Sequence, residues 1–119
     1  MPNITATKDG VAITDQLMFD VDVDQDPGLD AFGGSATIYS LRIDNSSTIA
    51  WVKLYDSTAP VVGTTAPDYI LQADASETIV WTVLDGFAMT NLSLAATNSA
   101  GTAGTTTPPG TVKVHAVAR

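Results

Sequence analysis

Apolar and polar residues alternate with a period of two along most of this chain, the spacing of side chains on a pleated strand. Asn3 to Lys8 predicts a short first strand, followed by the turn signal Asp9-Gly10 and by Val11 to Ile13. Leu17 to Asp24 alternates throughout, with Phe19, Val21 and Val23 on one face and Asp20, Asp22 and Asp24 on the other. Asp26-Pro27-Gly28 breaks that strand and opens a loop through Gly33-Gly34. Ala36 to Asp44 predicts a strand with Tyr39, Leu41 and Ile43 on one face. Asn45-Ser46-Ser47 then reads as the turn of a hairpin leading into Ile49 to Tyr55. In that second strand Ala50, Val52 and Leu54 face one way, and Trp51, Lys53 and Tyr55 the other.

Further strands follow at Tyr69 to Gln72, Thr78 to Leu84, Met89 to Thr97 and Thr111 to Ala118. Asp85-Gly86 reads as a turn, while the segment from Asn98 to Gly110 is a polar Gly/Thr/Pro loop. Thr78 to Leu84 is apolar on both faces, with Ile79, Trp81 and Val83 opposite Val80 and Leu84. Short strands at this spacing, each with one apolar face to bury, predict an all-β, antiparallel two-sheet β-sandwich of jelly-roll or Ig-like type. Residues 17–119 form its single domain, and Met1 to Gln16 an N-terminal arm or added strand.

Composition reinforces this class. Glu77 is the only Glu, and Thr, Val and Ile outnumber the straight-chain helix formers. With no cysteine among 119 residues, disulfides, zinc–thiolate sites and cysteine nucleophiles are excluded. The balance of 13 acidic against 5 basic residues gives a net charge of −8, which repels phosphate backbones and argues against a nucleic-acid partner. No apolar run approaches the roughly 18 residues of a spanning helix, so no membrane partner is expected. The first residues lack a basic start and an apolar stretch, so the expectation is synthesis in the cytoplasm without a signal peptide.

Candidate chemistry is thin. Asp20-Val21-Asp22-Val23-Asp24-Gln25-Asp26 imitates the opening of a calcium loop, where alternating carboxylates gather oxygen ligands. Gln25 stands where that loop needs Gly, and Ala31 where it needs a bidentate Glu. On a strand, moreover, such carboxylates sit about 7 Å apart. A solvated acidic face that blocks edge-to-edge pairing is the reading adopted for them, and no metal or other cofactor is assigned. His115, the only histidine, falls with Lys113 and Val117 opposite the core face of the last strand, and no nucleophile motif accompanies it. No phosphate loop or dinucleotide fingerprint occurs, so no catalytic residue is assigned and a non-enzymatic role is expected. The triplets starting at Asn3, Asn45 and Asn91 read as turn and strand residues rather than glycan acceptors.

Trp51, Tyr55 and Trp81 are the candidate interface residues. If Val52 and Leu54 face the core, Trp51 and Tyr55 point outward, where aromatics anchor protein interfaces or stack on sugar rings. The competing reading buries both tryptophans, because Trp81 shares its face with Ile79 and Val83.

The order of pieces from Ala36 onward resembles small virion proteins of tailed bacteriophages. The resemblance lies in Ile43-Asp44-Asn45-Ser46, Val52-Lys53-Leu54-Tyr55-Asp56-Ser57 and Val62-Gly63-Thr64-Thr65-Ala66-Pro67, then in Gly86-Phe87 leading to Leu92-Ser93-Leu94-Ala95-Ala96-Thr97. It covers about two-thirds of the chain and transfers no catalytic or ligand residue. It implies a capsid decoration (cement) protein on the outer shell, partnered with the major capsid protein lattice and associating as a homo-oligomer, a trimer by preference. The alternatives are a tail, neck or baseplate subunit and, from another class, a carbohydrate-binding module using Trp51 and Tyr55.

Overall fold

A computed structural model describes residues 3–8 and 11–119, with side chains from Leu17 onward. Among the described residues eight strands follow one another: β1 (Asn3–Lys8), β2 (Val11–Asp20), β3 (Ala36–Asn45), β4 (Ala50–Asp56), β5 (Tyr69–Ala73), β6 (Thr78–Met89), β7 (Leu92–Thr97) and β8 (Val112–Ala118). They form a five-stranded sheet, β1-β2-β8-β3-β6, and a three-stranded sheet, β5-β4-β7. Every ladder is antiparallel. The molecule is the expected all-β sandwich, and no helix occurs among the described residues.

One buried cluster joins the sheets. Met18, Ile38, Leu41, Ile43, Val112, Val114 and Ala116 enter it from the larger sheet, and Ala50, Val52, Leu54, Leu92, Leu94 and Ala96 from the smaller. At roughly 25 cal/mol per Å² of apolar surface buried, this cluster is the main favourable contribution to the fold. β8 shows the expected alternation, with Val112, Val114, Ala116 and Ala118 buried and Lys113 and Val117 exposed.

Three local readings are corrected by the structure. The segment after Asn45 is not a hairpin, because β3 lies in one sheet and β4 in the other. Asn45 diverts the chain: its buried amide donates to the carbonyls of Thr48 (2.7 Å), Ala73 and Asp74, and its Oδ1 accepts from Ser47 N–H. Likewise Asp85-Gly86 does not end a strand. β6 runs on to Met89, and Val83–Gly86 form a four-residue excursion opposite the single extra residue Tyr39 of β3. Gly86 has φ +72° there, and a Cβ would lie 2.5 Å from the Thr37 methyl, so only glycine fits. This irregularity shifts the β3 register, so that Ile38 and Leu41 are both buried while Tyr39 is half-buried.

The third correction concerns Leu17–Asp24. β2 ends at Asp20 and buries Met18, while Phe19 on the opposite face is 44% exposed and stacks on His115 with centroids 4.2 Å apart. Asp20 Oδ1 accepts from Asp22 N–H and Asp24 Oδ1 from Asp26 N–H, the side-chain-to-backbone bonds by which Asp competes with a continuing strand. The following loop lies along the edge of β7, exchanging backbone bonds between Gly28 and Leu94 and donating from Ala31 N–H to Leu92 O.

β1 pairs with β2 alone, Lys8 opposite Val11 and Asn3 opposite Gln16. β2 meets β8 only from Gln16 onward. Residues 3–8 and 11–15 therefore form a two-stranded ribbon that extends the larger sheet beyond β8. Within the segment Met1 to Gln16, read from the sequence as an arm or an added strand, the described residues pair β1 with β2.

Candidate interaction surface

The outer face of the smaller sheet is closed. Both faces of β7 are buried along its whole length, as are Val52, Lys53, Leu54 and Tyr55 of β4. Two loops provide the cover. Ser93 Oγ donates to Ser57 O, Thr97 Oγ1 to Ser99 O and Lys53 Nζ to Gly104 O, tying the loops after β4 and β7 onto the sheet. They also touch each other, since a Cβ on Gly63 would stand 2.5 Å from the Thr105 methyl.

Tyr55 is thus not an exposed anchor; it is fully buried, with a hydroxyl that finds no hydrogen-bond partner among the described residues. Burial pushes the Tyr55 hydroxyl above its ordinary pKa and holds the Lys53 ammonium below its own, because both ionised forms lose water. Trp51 is half-buried, in register with Gln72 of β5 and Thr97 of β7. A flat platform of Trp51 and Tyr55 for a sugar ring does not form.

Trp81 lies in a different setting. On β6 it packs against Phe87 (centroids 4.9 Å, planes at 36°) and Tyr69 of β5 (5.7 Å, 52°), and Tyr69 also meets Phe87 at 5.2 Å. The three rings plug the side of the sandwich where β5 and β6 are outermost strands. Trp81 and Phe87 also pack against the core, while Tyr69 is 40% exposed. Trp81 is therefore core on one side and surface on the other. The tilted rings are the geometry of mutual aromatic packing, not of one shared stacking plane.

Beside this cluster β6 presents Val80, 61% exposed, and Leu84, 92% exposed. No charged residue lies between Glu77 and Asp85, so Thr78–Leu84 is an uncharged strip in a chain of net charge −8. β6 pairs with β3 only, and residues 78–89 make no backbone hydrogen bond to any other element among the described residues. An open strand edge flanked by exposed apolar side chains is a template for another chain. Tyr69, Phe87 and Leu84 are not among the interface residues that the sequence reading names; for Leu84 the available signal is a strand apolar on both faces, and Tyr69 and Phe87 lie outside that strand stretch.

A second cluster occupies the outer face of the larger sheet. Arg42 Nε donates to Asp44 Oδ1 at 3.1 Å, Thr78 Oγ1 donates to the same atom at 2.9 Å, and His115 Nδ1 lies 3.9 Å from Asp44 Oδ2. The Thr78 hydrogen bond, opposed next by burial and reinforced by the Arg42 charge and hydrogen bond, holds the Asp44 carboxyl below its usual pKa. Arg42 and Thr78 both donate to Asp44, whereas His115 Nδ1 is buried and finds no hydrogen-bond partner among the described residues. No three His, Asp or Glu side chains converge as a metal site among the described residues, and Asp20 and Asp24 direct their carboxylates to neighbouring backbone N–H groups.

No protein-family model matches the chain, and no curated protein or solved structure is significantly similar to it.

Proposed function

We propose that this chain is a non-enzymatic structural virion protein, a capsid decoration subunit that binds the outer shell and stabilises contacts between capsomers. The observation that carries an assembly role is the β6 strip, where Leu84 stands 92% exposed and Val80 61% exposed on an unpaired strand edge. Leaving large aliphatic side chains in water forgoes burial worth about 1.5–3 kcal/mol each, which a macromolecular contact recovers. The resemblance of the segments from Ala36 onward supplies the setting, a phage particle, and the net charge of −8 favours its outer surface over its genome-filled interior. A tail or neck subunit uses the same surface chemistry in another location.

The test is to raise antibodies to the chain and locate it in purified particles separated into heads and tails. Labelling of the outer head surface is expected. Recovery only in tails moves the role to the tail, and absence from particles removes the virion reading. The carbohydrate alternative is weakened by the burial of Tyr55, and glycan binding lost in Trp51→Ala with assembly intact would restore it.

A further inference from the structure

We propose that the β1–β2 ribbon of one copy lays β1 along the β6 edge of a second copy, so that the larger sheets of neighbouring copies run into one another. The proposal deepens the assembly reading by naming what covers the β6 strip, and it does not depend on the particle being a virion.

Four observations carry it. First, β1 and β6 are the two outermost strands of the same five-stranded sheet, so an edge-to-edge contact between them repeats from copy to copy. Such a head-to-tail contact closes into a ring when the rotation between copies allows it, and a ring of three is one such closed form. Second, residues 11–15 of β2 have β1 as their only ladder partner, and β1 has only β2. A two-stranded ribbon is at best marginally stable in water, and a third strand beside it supplies the missing ladder. Third, the lengths are comparable: β1 has six residues, and β6 is regularly paired with β3 over the five residues Thr78–Thr82 before the Val83–Gly86 excursion, which carries Leu84. Fourth, charge permits the approach. β1 carries Lys8 and no acidic residue, and Thr78–Leu84 carries no charge, so this pairing avoids the acidic surfaces that make two copies repel.

The other edges suit the role less well. The edge of β7 is covered by the loop that bonds through Gly28 and Ala31, and β5 lies in the other, three-stranded sheet, so pairing with it would not continue the larger sheet. Main-chain hydrogen bonds would give the β1–β6 contact its affinity, and Val80 and Leu84 beside the added strand its specificity.

The experiment uses complementary variants of the full chain. Deleting Met1–Lys8 removes the donor strand and leaves the β6 acceptor. Val80→Lys with Leu84→Lys places two charges on the acceptor strip at positions exposed enough to leave the fold intact, which circular dichroism confirms. Light scattering should show the unaltered protein as a closed oligomer and each variant as a monomer, association weakened more than about tenfold. An equimolar mixture of the two variants should give a heterodimer that grows no further, because one donor and one acceptor remain. Oligomers formed by the deletion variant alone overturn the proposal. Dimers formed by the double-lysine variant alone also overturn it, in favour of β1 pairing with β1. An unaltered protein that stays monomeric with no heterodimer in the mixture overturns it too, while leaving particle labelling as the separate test of the virion role.

Discussion

The two sheets solve the same burial problem in opposite ways. In the smaller sheet β7 is buried at every position and β4 at five of seven, because loops roof the outer face and the core fills the inner one. In the larger sheet β6 alternates between exposed and half-buried residues over Thr78–Val83, with one face toward the core and the other left open. The smaller sheet is an internal scaffold, and the larger one carries the surfaces available to partners. A strand with an apolar residue on its open face thus has a different meaning in each sheet: Ala95 packs under a roof, whereas Leu84 stands in solvent.

The largest expected effect breaks this contrast directly. Leu94→Ala, in the buried heart of β7, should cost about 3 kcal/mol in chemical denaturation, whereas Leu84→Ala should change the isolated monomer by less than about 0.5 kcal/mol. Equal losses at the two positions would mean that Leu84 is covered in the folded chain.

Next in size is Asn45→Ala. Its buried amide holds the crossing between the sheets through three carbonyl acceptors, so removal should cost about 2 kcal/mol, measured by thermal or denaturant unfolding.

Smaller effects come from the polar pair under the roof. Lys53→Met should stabilise the protein by about 1 kcal/mol by removing a buried ammonium held by one carbonyl, and Tyr55→Phe by a few tenths of a kcal/mol by removing an unpartnered hydroxyl. Their pH dependences run in opposite directions. The folded state lowers the Lys53 pKa, so the unfolded chain binds the extra proton, and stability rises as pH climbs from the lowered value toward the usual lysine value of about 10.4. The folded state raises the Tyr55 pKa, so above about 10 the unfolded chain ionises first and stability falls. Denaturation midpoints across the alkaline range should lose the rise in Lys53→Met and the fall in Tyr55→Phe.

The smallest effect belongs to the ionic face. Asp44→Asn should cost no more than about 0.5 kcal/mol near neutral pH, because its partners lie at the surface and are screened by water and salt. The lowered Asp44 pKa means that its contribution is present above the usual carboxylate range and disappears as pH falls through the folded value. An acid limb less steep in Asp44→Asn than in the parent measures it.

The contrast between sheets also explains what was legible in the sequence. The fold class followed from alternation, and β8 obeys it because one of its faces meets the core and the other stays largely in solvent. Alternation placed Trp51, Lys53 and Tyr55 together opposite Val52 and Leu54, but it carries no information about a roof made by loops 98–111 and 57–68. Alternation therefore puts Tyr55 at the surface, whereas in the folded chain it and Lys53 are both buried. The excursion at Val83–Gly86 was equally hidden, because Asp85-Gly86 has the composition of a hairpin turn and the use of a mid-strand insertion. Trp81 stands out in the sequence as an aromatic that shares its face with Ile79 and Val83, while Tyr69 joins it only through the meeting of two sheets.

The central claim is that the β6 edge is the contact surface in an assembly. Amide hydrogen exchange, compared between the dispersed chain and the assembled state, tests it most directly. The account predicts strong slowing on assembly at amides within Thr78–Leu84 that face away from β3, with β4 and β7 unchanged because their ladders are complete in the single chain. Assembly that leaves Thr78–Leu84 exchanging as in the dispersed chain, while protecting another surface, would contradict it.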